Sequence, residues 1–123
     1  MTQQYAFFVG FSGNFRLLDW PTIAREQIET VSAALDCEQL APIDITGELT
    51  MWLDNGLDEL PLNIHAMRLY RTQRRLHRAY YGDAIFTGGL DEKGRRTGLT
   101  EDQALAILEV LLNPTIPQQR TRD

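Results

Sequence analysis

Arg68, Arg71, Arg74, Arg75 and Arg78 crowd one short stretch, and no acid interrupts residues 62–81. Guanidinium is a planar fork of donors suited to bidentate contacts with phosphate or carboxylate. At about 100° per residue, the five arginines fall within a sector of about 120° on a helix. Leu62, Ala66, Leu69, Leu76 and Tyr80 fall roughly opposite. The spacing therefore predicts a helix from Ile64 to about Tyr80, with Asn63 as its N-cap and nothing more. Its apolar stripe would be buried and its guanidinium groups displayed. Arg68, Arg71, Arg75 and Arg78 are the candidate anion-binding residues, with Tyr70 as a ring that could stack on a base.

Other partners for the arginines are available within the chain. From Asp36 to Glu59 there are seven acids (Asp36, Glu38, Asp44, Glu48, Asp54, Asp58 and Glu59) and no Lys or Arg. That stretch could meet the arginines as internal salt bridges, or in a second subunit of a homo-oligomer. A nucleotide-like small anion and an acidic host protein are the other readings. Duplex DNA is disfavoured: the net charge is −5, and the five arginines of residues 62–81 leave −10 on the remainder.

The usual signatures of catalysis are absent. His65 and His77 are twelve residues apart, which on one helix separates them by about 18 Å along the axis and about 120° around it. They cannot share a metal there. Cys37 has no Cys or His at zinc-ligand spacing, and Ser12 in GFSGN lacks the nucleophile-elbow pattern. No glycine-rich phosphate loop occurs, and an EF-hand begun at Asp54 would place His65 where glutamate is needed. Asp91-Glu92 and Glu101-Asp102 are acids in a loop and in a first helical turn, where they are ordinary. The expectation is a non-enzymatic protein with no cofactor and no metal.

These residues must be positioned by a small fold. The chain has 123 residues, of which 43% are apolar and 24% charged, enough for one domain with a buried core. No apolar run is long enough to cross a membrane, no signal peptide opens the chain, and the single cysteine points to a reducing cytoplasm. Tyr5–Phe11 and Phe15–Trp20 read as a hairpin, and Asp19 with Pro21 as the start of a helix running to about Asp36. A strand around Leu40–Ile45 carries Pro42, which places it at an edge or in a bulged position. Leu49, Met51 and Leu53 alternate with Glu48, Thr50 and Trp52, the pattern of a half-buried strand. Asp83–Gly89 is a further strand, and Thr100 with Gln103 has the spacing of a capping box opening a third helix. The fold expected is α+β, one domain over residues 1–113. It is a twisted, mainly antiparallel sheet of about five strands with three helices, followed by a flexible tail over 114–123.

LDNG (Leu53–Gly56), LPLNIHA (Leu60–Ala66), GDAIFTGGLDEKG (Gly82–Gly94) and GLT (Gly98–Thr100) give the chain a further character. In this order they resemble a domain-of-unknown-function family common in bacteriophages and mobile elements of Gram-positive bacteria. Here Ile64 stands where that family usually has proline, so the asparagine cap is kept and Pro at N1 is not. The resemblance carries over no catalytic residue. It implies a small accessory factor that binds something of the host, such as a counter-defence protein that sequesters a signalling nucleotide or blocks a host protein.

Overall fold

The computed structural model describes residues 3–56 and 59–113, so the expected C-terminal tail lies outside the described residues. Five strands form one antiparallel sheet: β1 (Tyr5–Val9), β2 (Phe15–Asp19), β3 (Leu40–Thr46), β4 (Leu49–Asp54) and β5 (Ala84–Thr87). Their spatial order is β2-β1-β5-β4-β3. Three helices accompany them: α1 (Ala24–Leu35), α2 (Ile64–Arg71) and α3 (Glu101–Leu112). This is the α+β class expected. Both edges follow from composition: β3 carries Pro42 and an irregularity between Asp44 and Thr46, while β2 is the outer half of a tight hairpin.

Successive side chains of a strand point to opposite faces, and both faces of this sheet are covered. Phe7, Val9, Met51, Leu53 and Phe86 pack against Ala66, Leu69 and Tyr70 of α2 and Ala104, Ile107 and Leu111 of α3. On the reverse, Ala6, Phe8, Trp52 and Ile85 pack with Trp20 and with Val31 and Leu35 of α1. The half-buried reading of β4 is therefore corrected, since Thr50, Met51, Trp52 and Leu53 are all buried. Trp52 lies 6.2 Å from Trp20, and its indole N–H donates to Thr87 Oγ1 at 3.0 Å.

The helix ends show which local signals were used. Thr100 and Gln103 form the reciprocal capping box of α3, at 3.1 Å and 2.8 Å. Helix α1 starts later than Asp19-Pro21 implied, after Ile23, which gives no side-chain cap. The Pro21 carbonyl accepts from Gln27 Nε2 at 2.8 Å instead. Helix α2 departs furthest from expectation, ending at Arg71 rather than near Tyr80.

The reason is geometric. Tyr80 O accepts the Asn63 N–H at 3.0 Å, and Leu62 pairs with Tyr81. A helix running from Asn63 to Tyr80 would separate those residues by about 25 Å. The chain must leave the helix and turn back, and Thr72 closes it with Oγ1 donating to Leu69 O at 2.7 Å.

Two glycines complete the frame. Gly82, at φ +81°, adopts the left-handed region that favours glycine and lets the returning chain enter β5. At Gly89 an added Cβ would stand 1.9 Å from the Gly47 carbonyl oxygen, so the β3–β4 turn approaches too closely for any side chain.

Candidate functional site

The five arginines do not share one face, because only Arg68 and Arg71 lie on α2. Arg68 is half-buried, and its Nη2 donates to Val110 O at 3.3 Å and Leu111 O at 3.0 Å. It thereby caps the negative end of α3, a favourable place for a cation. Tyr70 is also committed to the core: it is 8% exposed and lies 5.5 Å from the Tyr80 ring. The position expected to offer a stacking ring is an internal aromatic pair.

From the end of the helix, Arg71, Thr72, Gln73, Arg74, Arg75 and Leu76 line a shallow, open surface cleft of about 630 Å³. Three exposed arginines thus line a single turn of chain. Arg74 Nη1 donates to Ile45 O at 3.4 Å, which ties the turn to the end of β3. Arg78 stands elsewhere, with its guanidinium carbon 5.4 Å from the centroid of the Tyr80 ring. It lines a different cavity of about 530 Å³ with Asp54, Glu59 and Tyr81 among its walls. The structure therefore brings together Arg71 and Arg75 and adds Arg74, while Arg68, Tyr70 and Arg78 lie apart.

Charge pairing leaves this cleft basic. Among the described residues the ion pairs are Arg25–Glu29, Arg95–Asp91 and Arg96–Asp44, and none involves residues 62–81. The acidic stretch from Asp36 does not fold onto the arginines as internal salt bridges there; its Asp44 carboxylate meets Arg96 at 2.8 Å. The Arg96 hydrogen bond holds the Asp44 carboxyl below its ordinary value. Three neighbouring guanidinium groups without a carboxylate repel one another and favour an anion from outside.

Two further titratable groups, His65 and Cys37, are partly buried. His65 meets the edge of Phe15 with ring centroids 5.5 Å apart, and its buried Nδ1 has no partner. Burial, with the charge of Arg68 adding to it, lowers its pKa. Burial and the nearby Asp54 push the Cys37 thiol up, away from the reactive thiolate. No group of three His, Cys, Asp or Glu side chains converges as a metal site among the described residues.

Asn63 exceeds the role read from sequence. Fully buried, it accepts the Ala66 N–H at 2.9 Å as a cap. Its Nδ2 also donates to Val9 O at 3.0 Å and Gly82 O at 2.7 Å. One amide side chain therefore joins α2, β1 and the entry to β5. The segments that carried the family resemblance, LPLNIHA and GDAIFTGG, are thus the two halves of one junction.

A family model described as Domain of unknown function (DUF3846) matches residues 13–112. The chain belongs to that family. The match spans α1 to α3 and includes both the Asn63 junction and the arginine turn. No curated protein and no solved structure matches the chain. Among the described residues no helix is long and apolar enough to cross a membrane.

Proposed function

We propose that this DUF3846 protein is a non-enzymatic anion binder whose site is the turn following α2. Arg71, Arg74 and Arg75 hold a phosphate-bearing small molecule such as a signalling nucleotide. The observation that carries this reading is the cleft of Arg71–Leu76, with three arginines and no ion pair to any of them among the described residues. The ligand is recognised through its anionic group, because Tyr70 is occupied in the core. The phage or mobile-element setting implied by the family resemblance supports a counter-defence role in the cytoplasm.

A second reading draws on the shape of the site. The lining of the cleft is one continuous run of six residues on the surface. Such a site also admits a carboxylate or phosphate borne on a host protein, which would make the chain an inhibitory docking module.

Both readings meet the same variant. Arg71→Glu with Arg75→Glu reverses two exposed charges whose side chains make no hydrogen bond among the described residues, so the double variant should fold as the parent does. Titration with nucleoside triphosphates and pyrophosphate should show binding by the parent and a loss of at least about tenfold in the variant. Undiminished binding in the variant would remove the site assignment. No binding of small anions by the parent, with a salt-sensitive host partner captured through the same arginines, would decide for docking.

A further inference from the structure

The two edges of the sheet are unlike. Strand β3 has the devices that discourage further pairing: Pro42, which lacks an N–H, and a register irregularity between Asp44 and Thr46. Strand β2 has neither. Its five residues pair with β1 in unbroken register, from Tyr5 opposite Asp19 to Val9 opposite Phe15.

Which backbone groups of β2 face outward follows from two hydrogen bonds. Gly10 N–H donates to Asn14 O at 2.8 Å, and Trp20 N–H donates to Gln4 O at 2.9 Å. Bonding pairs alternate along an antiparallel ladder, so Arg16 and Leu18 bond to β1. The N–H and C=O groups of Phe15, Leu17 and Asp19 point away from β1, to an edge that no strand among the described residues covers. These three positions are symmetric about Leu17.

The charged side chains of β2 are directed back to the protein's own sheet. The Arg16 guanidinium carbon lies 4.5 Å from the centroid of the Phe8 ring, and Asp19 accepts from Gln3 Nε2 at 3.0 Å. Leu17 is half-exposed on the α2/α3 side of the sheet, opposite Phe7. Two further leucines are exposed on α3. On a helical wheel Leu105 and Leu112 lie on the flank of α3 away from Gln103 and Ala106, which face the β3–β4 turn. Both are more than half exposed.

We infer that β2 is a homodimerisation edge. Two copies pair antiparallel through β2 about a two-fold axis at Leu17, joining their sheets into one of ten strands. In this register Phe15 bonds to Asp19 of the second copy and Leu17 to Leu17, so all three outward positions are satisfied. A two-fold axis normal to the sheet keeps the α2/α3 faces together and places the Leu17 side chains side by side. The exposed Leu17 at the centre of the edge argues for a second copy as the occupant: the two-fold sets this side chain against its own counterpart, so both leave water together.

The test combines sedimentation with amide exchange on the full chain from about 1 to about 500 μM. A concentration-dependent dimer is expected. The amides of Phe15, Leu17 and Asp19 should be protected only when it forms, with Arg16, Leu18 and Trp20 protected throughout. Leu17→Pro removes an outward donor and no bond to β1, so it should give a folded monomer. Leu17→Lys provides the same check without altering the backbone. A parent chain that stays monomeric across the range would overturn the inference. So would a dimer that persists in both variants, or outward amides that exchange freely within the dimer.

Discussion

Asn63 and His65 show how much one side chain can decide here. Asn63→Ala would leave two carbonyls and one helix-terminal N–H without their partner inside the protein. A loss of about 2–4 kcal/mol is expected in urea denaturation, against a few tenths for an exposed asparagine. His65 sets a pH dependence near neutrality. Its folded pKa lies below the unfolded value of about 6.5, so the unfolded chain takes up the proton first as pH falls. The stability it contributes is present above about pH 6.5 and is lost as pH drops toward the folded value. The urea midpoint should fall between about pH 7.5 and pH 5.5, and His65→Gln should flatten that fall. An equal slope in the variant would place the effect elsewhere. Asp44 acts in a lower window: its depressed pKa contributes stability above the ordinary carboxylate value, lost only as pH falls through the folded one.

Elements were legible where the signal was local. Thr100→Ala should cost about 1 kcal/mol by removing one half of the capping box, and Gln103→Ala up to about the same by removing the other. Thermal melting reads both. That box, the Pro42 edge strand and the hairpin turns were each written in a few neighbouring residues. The extent of α2 was not. Residues 72–80 continue a helical pattern of Leu and Arg, and the long-range pairing of Leu62 with Tyr81 and of Asn63 with Tyr80 turns the chain back instead. The same long-range fact hides the layout of the candidate site. In the sequence Arg68 groups with the other arginines, because nothing local announces the C-terminus of α3 as its acceptor. The Arg71, Arg74, Arg75 spacing did carry information, since a tight turn brings such neighbours together as a helix would. Trp52 misled in another way: alternation described one face of β4 well but said nothing about α1 covering the other.

At the scale of the molecule, the sheet divides the interior into two cores, one covered by α2 and α3 and the other by α1. Gly89→Ala tests the coupling between them and the strand ends, because its Cβ would collide with backbone at Gly47 rather than with a side chain free to move. A loss of several kcal/mol, or no soluble protein, is the expected outcome. The strand order has a bearing on how the chain is made. β1 with β2, and β3 with β4, are hairpins of neighbouring sequence, yet β5 separates them in the finished sheet. While the polypeptide is being synthesised from its N-terminus, both hairpins emerge first, each with an inner edge that only Ala84–Thr87 can cover. Until those four residues leave the ribosome the nascent chain holds two sticky half-sheets, and the interval between the emergence of β4 and that of β5 is when it most needs a chaperone.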